Sequence, residues 1–221
     1  VDDVAVDTSD AVMGSMGTYL LAIVPLIMAV VFASFGSLLV PLRLAFALFF
    51  TLAATYGVAV VVYQTPLLHG IFPWLAPFDG LTYEVVPMVT GIAIALGLDY
   101  DIFLVSRIVE FRKRGFSDRA SIFRGAAKAG GVISGAGIIM ALAFAGLCFS
   151  DKLLMQQFGV LLIVSVVFDT YVVRTILVPA LMLVAQERNW WPRKMPPAVY
   201  TSLEGEVEDD DVASLYVPML G

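Results

Sequence analysis

Apolar residues fall in five long blocks along this chain, and the short stretches between them gather most of its charge. The blocks cover about residues 19–40, 44–63, 85–106, 130–149 and 154–185. A helix rises 1.5 Å per residue, so roughly 20 apolar residues cross the ~30 Å hydrocarbon core of a bilayer. The pattern predicts an all-α membrane protein with five transmembrane helices. Residues 1–16 are small and acidic and read as the end of a water-exposed segment. Pro25 is a tolerated kink in the first span, and Pro41-Leu42-Arg43 is expected to form a tight turn before the second. The second span is apolar all round, which predicts lipid contact over much of its surface. Residues 64–84 hold Pro66, Pro73, Trp74, Pro77 and Asp79-Gly80 without a Lys or Arg, and read as an outer loop along the interface.

Between the third and fourth blocks the pattern changes. Residues 107–128 carry seven bases, Arg107, Arg112, Lys113, Arg114, Arg119, Arg124 and Lys128, interleaved with Ile108, Phe111, Phe116, Ile122 and Phe123. Gly115 can end one helix there, and Ser117 with Asp118 can cap the next. Set between two spans, the stretch reads as an amphipathic connector on the cytoplasmic membrane face, in preference to a nucleic-acid-binding patch. The fourth block is rich in small residues, and Gly131-x-x-x-Gly135 predicts a close helix approach. The fifth contains Asp169, Arg174 and Pro179, with Trp190 and Trp191 expected at an interface. Residues 17–190 thus make the bundle. Residues 191–221 make a cytoplasmic tail whose acidic run, Glu204 to Asp211, is too poor in apolar residues to be expected to pack.

Composition agrees with the pattern. The 221 residues are 60% hydrophobic and 14% charged, with mean hydropathy +0.90, against roughly 45–50% apolar and about 25% charged in soluble domains. The net charge of −6 comes from the ends: ten of the 19 acids lie in residues 1–16 and 200–221, which contain no base. In a five-span topology Arg43, the seven bases of 107–128, and Arg188, Arg193 and Lys194 fall on one side. The positive-inside rule then places the N-terminus outside and the tail in the cytoplasm. The lone Cys148 excludes a disulfide framework within the chain, and the lone His69 reads as a solvated loop residue. No nucleotide-binding Gly-rich loop, metal-ligand cluster or nucleophile constellation is recognised, so no enzyme activity, cofactor or nucleic-acid partner is expected. No charged stretch precedes a short apolar one at the start, so no signal peptide is recognised, and the chain reads as part of something longer.

The chemistry gathers in Gly97-Leu98-Asp99-Tyr100-Asp101-Ile102-Phe103-Leu104-Val105-Ser106-Arg107. An ionised carboxylate in hydrocarbon costs at least ~2.5–3.5 kcal/mol on insertion scales, and such residues commonly face a bundle interior or a water pathway. Helical spacing puts Ile92, Ala95, Asp99, Phe103 and Ser106 on one face. Asp101 points about 200° from Asp99 at 100° per residue, nearer the cytoplasmic end, where water is within reach. Desolvation raises a carboxylate's pKa, which suits a buried Asp to load and release a proton, and Tyr100 can donate its hydroxyl to a carboxylate on a neighbouring helix. A structural hydrogen bond or ion pair, with Arg174 as partner, is the other reading of these acids.

That stretch resembles the tenth helix of the mycobacterial membrane protein large (MMPL) family, within the resistance-nodulation-division (RND) transporter superfamily. The likeness continues through Gly115, Gly130-Gly131-Val132-Ile133-Ser134-Gly135-Ala136-Gly137 and Gln157-Phe158-Gly159. It then runs from Phe168-Asp169-Thr170-Tyr171-Val172-Val173-Arg174 through Pro179-Ala180 to Trp190-Trp191-Pro192. The resemblance implies helices eight to twelve of a twelve-helix, proton-motive-force-driven exporter of lipids or other hydrophobic molecules, with residues 1–16 closing an extracytoplasmic porter domain. Asp99 and Tyr100 match the family's proton-relay pair, whose partner pair lies on the fourth helix, in an N-terminal half outside this chain. Asp101, Asp169 and Arg174 are secondary candidates. A sterol-sensing or Patched-like lipid-binding bundle is the rival from another class.

Overall fold

The computed structural model describes residues 2–65 and 80–199; the expected outer loop with His69 and Trp74, and the acidic tail, lie outside the described residues. The first helix, α1, runs unbroken from Asp2 to Phe35, so the acidic start and the first span share one helix. It ends at Gly36, whose φ of 65° is left-handed backbone that glycine adopts at little cost. Leu39–Gln64 forms α2. The expected turn at Pro41-Leu42-Arg43 is therefore corrected: all three lie in the first helical turns, where Pro41's missing N–H would have had no intrahelical partner.

Val85–Lys113 forms α3 and Asp118–Ala145 forms α4. Their junction uses the expected residues, Gly115 at φ 91° and the Ser117 side chain accepting from the Ala120 N–H. The expected amphipathic connector is not a separate surface element. The basic residues 107–113 extend α3, which at 1.5 Å per residue is about 43 Å long, well beyond the hydrocarbon thickness. Leu153–Phe168 forms α5, and the helix continues as a π-helical segment, Asp169–Leu177, into α6, Val178–Ala185, and a 3-10 turn to Trp190. Five helical stretches are long and apolar enough to cross a membrane. No β-strand is present among the described residues. Apolar side chains such as Leu21, Phe49, Leu142 and Val184 point outward.

Two apolar clusters tie the ends of the bundle. One joins Leu104, Ile108, Ile122, Ile133, Val178 and Met182; the other joins Tyr63, Val85, Val89, Phe158, Leu161 and Leu162. Close approach falls where glycine removes a Cβ, but not at the expected Gly131 and Gly135, which have open space beside them. A methyl on Gly125 would lie 2.8 Å from the Ile108 Cα, and one on Gly137 would lie 2.6 Å from the Thr170 Oγ1.

The basic ends converge. The Leu38 N–H donates to the Trp191 carbonyl at 3.0 Å, and the Val199 N–H to the Gly115 carbonyl at 2.8 Å. Trp190, expected at an interface, is instead buried, and its indole N–H donates to Asp118 at 2.7 Å. Trp191 is 60% exposed. At the opposite end the buried Gln157 amide donates to the Gly80 carbonyl at 2.8 Å. Its oxygen accepts from the Thr82 backbone and hydroxyl, fixing the approach to α3.

Candidate functional site

Helix α3 carries its chemistry on two faces. On the inner face, Arg174 from the π segment donates to Asp169 through Nε at 2.7 Å, and through Nη2 to the Gly97 carbonyl at 2.7 Å. The guanidinium lies over the Tyr100 ring, 5.0 Å from its centroid. Thr51 of α2 donates to the other Asp169 oxygen at 3.3 Å. This pair joins three helices in the core, with Arg174 4% and Asp169 7% exposed.

The π register makes the pair possible. Positions five apart on an α-helix are rotated by about 140°, so Asp169 and Arg174 would diverge. An i→i+5 register brings them together. Pro179 marks the cause: it has no N–H for the Thr175 carbonyl and its ring crowds that carbonyl. The wider register accommodates this, with the Val178 N–H bonded to the Val173 carbonyl and the Thr175 hydroxyl to the Thr170 carbonyl.

Nearer the basic end, Asp101 is 3% exposed and faces Arg43 of α2, with Nη2 to Oδ2 at 3.8 Å. The expectation that Asp101 reaches water is thus corrected: its face of α3 packs inward, where the chain places a cation. Arg43, read from sequence as a turn residue, was missed as a member of this site. Its Nε and Nη2 have no hydrogen-bond partner among the described residues, so this pair is looser than that of Arg174. The same correction applies to Arg174, whose carboxylate partner is Asp169 and not an α3 acid.

Asp99 stands apart. It is exposed, as are Ala95 and Ser106 of its stripe, while Ile92 and Phe103 are half-buried. No ion pair among the described residues reaches it. The Tyr100 hydroxyl points to α4, where the Met140 sulfur lies 4.0 Å away. The structure thus brings Tyr100, Asp169 and Arg174 together, sets Asp101 with Arg43, and leaves Asp99 on an uncovered face. No group of three or more metal-ligating side chains occurs among the described residues.

The MMPL family model matches residues 3–201. The chain belongs to the MMPL family. It is 32% identical over 186 residues to the trehalose monomycolate exporter MmpL3 of Mycolicibacterium smegmatis, covering 81% of this chain and 18% of that protein. It is 36% identical over 142 residues to the mycolic acid-containing lipids exporter MmpL11 of the same organism, covering 64% and 15%. Against the sulfolipid-1 exporter MmpL8 of Mycobacterium tuberculosis it is 33% identical over 168 residues, covering 76% and 14%. This MMPL chain therefore spans less than a fifth of the length of these relatives. With its five apolar helices it is an integral, multi-pass membrane protein.

Proposed function

We propose that this chain is the C-terminal membrane part of a proton-driven MMPL exporter of lipids or other hydrophobic molecules, with Asp99 as its proton carrier. The observation that carries this reading is the uncovered carboxylate. Asp99 lies about 21 Å along α3 from Val85, within the depth of the hydrocarbon core. Among the described residues it has no ion-pair partner, unlike Asp101 and Asp169. A facing helix with its own acid-tyrosine pair, supplied by an N-terminal half, would cover the stripe of Ala95, Asp99 and Ser106 and enclose a titrating site. Tyr100, beside Asp99 and held under Arg174, has its hydroxyl toward Met140 of α4, so its part in the relay requires that hydroxyl to turn to the facing carboxylate.

The buried pairs supply the frame. Asp169, Arg174, Thr51 and the Gly97 carbonyl lock α3 to α2 and the last helix, so a change in charge at Asp99 would move α3 as part of a rigid unit. One charge crossing 100 mV supplies ~2.3 kcal/mol, enough to bias two arrangements of such a bundle. The convergence of Arg43, residues 107–128 and Arg188 to Lys194 at one end supports an orientation with that end in the cytoplasm and residue 1 outside. The named exporters among the relatives support a lipid as cargo.

The test is Asp99→Asn in the full-length protein, with export measured under an imposed proton gradient at matched protein levels. Asn keeps the size and much of the hydrogen bonding but cannot cycle a proton, so export should be lost while the protein accumulates normally. Export at the wild-type rate would overturn the assignment.

A further inference from the structure

Three concavities run together at the basic end of the bundle. The first, about 660 Å³, lies among Arg112, Asp118, Arg188, Arg193 and Lys194. The second, about 450 Å³, shares Arg188 and Trp191 with the first and is otherwise walled by Leu38, Leu39 and Leu42. The third, about 590 Å³, shares Leu39 and Leu42 with the second and follows α2 and α6 past Phe46, Leu181 and Val184. Each shares wall residues with the next, so they lie side by side in a row, cationic at one end and mostly apolar along the rest, with Arg43 and Asn189 as polar walls of the third.

The polar chamber has an unmet demand for an anion. Asp118 is already engaged, its Oδ1 accepting from the Arg112 Nε at 2.9 Å and the Trp190 indole at 2.7 Å. Glu187 is the chamber's other acid, set against the exposed Arg188, Arg193 and Lys194. Arg112 is 6% exposed, and its Nη1 has no hydrogen-bond partner among the described residues. With four bases and two acids on its walls, and one of those acids already bound to Arg112, the chamber favours an anionic group. Trp191, 60% exposed where chamber and groove meet, has the amphipathic ring that settles at lipid headgroups.

We propose that chamber and groove together bind one anionic membrane phospholipid. Its phosphate lies among Arg112, Arg188 and Arg193, and an acyl chain runs along Leu42, Phe46 and Val184. A free phosphate would use the chamber alone and leave the groove empty; a lipid fills both. The groove follows α2 and α6, both within stretches long and apolar enough to cross a membrane, so a lipid occupant would come from the adjoining leaflet.

The full-length protein, reconstituted in nanodiscs of equal phosphatidylglycerol and phosphatidylethanolamine and then released into detergent, can be weighed by native mass spectrometry for lipid retained. The wild type should retain phosphatidylglycerol in preference. Arg188→Gln with Arg193→Gln removes two bases near the membrane surface and should weaken that retention roughly 30-fold. Leu42→Trp fills the groove with the cations intact and should also cut retention. Leu42, Arg188 and Arg193 are exposed, so the variants should fold, as gel filtration would verify. Equal retention of the two lipids by the wild type would overturn the proposal. So would full retention by Leu42→Trp, the mark of a merely basic surface, or retention only after the acids of 204–211 are neutralised, the mark of a chamber filled by the chain's own acidic run.

Discussion

Asp99 and Asp101 sit two residues apart on one helix and occupy opposite environments. Asp101 is sealed inward beside Arg43, as Asp169 is beside Arg174, whereas Asp99 faces out from the bundle. The inner acids have counter-charges from their own chain, and the Asp169–Arg174 pair, with Thr51 and the Gly97 carbonyl, ties α2, α3 and the last helix together. Asp99 has no such partner among the described residues, which is why the proton-carrier role is proposed for it and not for the inner acids. What separates the two faces of α3 in the structure is where the cations are: Arg43 and Arg174 both stand on the inner side.

The largest expected effect tests the inner face. Arg174→Gln strands a buried Asp169 and should cost about 3–5 kcal/mol of stability, visible as a lower unfolding temperature of the full-length protein in detergent. Adding Asp169→Asn should recover most of it, and a double variant as unstable as the single would break the idea of charge compensation. Gly97→Ala comes next, because its Cβ would run into the Leu48 side chain; overpacking of this kind costs about 1–3 kcal/mol. Arg43→Gln should cost less than Arg174→Gln, since the 3.8 Å contact lacks the short hydrogen bonds of the other pair. A ranking with Arg43→Gln the worse would show that the looser pair carries the frame.

The smallest stability effect belongs to the outer face. Asp99→Asn should shift stability by no more than about 0.5 kcal/mol, as for substitutions away from buried networks, while export is lost. Loss of folding together with export would erase the distinction between the faces. Ala95→Leu sharpens it further: in the full-length protein a bulky residue on this stripe should impair export if a second helix packs there, and leave it untouched if lipid does.

The spans were legible because hydrocarbon thickness selects apolar blocks of fixed length. Their ends were less so. Hydropathy stops where charge begins, but a helix does not, and the bases of 107–113 simply continue α3. The acids of the Asp99 stretch stood out as expensive, yet their partners could not be read. Arg43 is paired with Asp101 by tertiary packing across 58 positions of sequence, and its place beside Pro41 suggested a turn. Asp169 and Arg174 were hidden by the α-helical period itself, because only the π register brings positions five apart together. A proline two residues beyond that segment was the available signal. Gln157 appeared in the sequence only as part of a motif, with nothing local to mark it as the tie to Gly80 and Thr82.

The contacts between Leu38 and Trp191 and between Ser37 and Asn189 bind the first helical hairpin to a segment roughly 150 residues later. During synthesis, that segment leaves the ribosome after all five helices have been made. The α1–α2 hairpin must therefore wait in the bilayer with its turn unfastened, and the same late segment clasps the α3–α4 turn through Trp190 and Val199. Fastening of these two turns is thus a late step in synthesis, and a chain stopped before residue 189 should insert its helices with both turns unfastened.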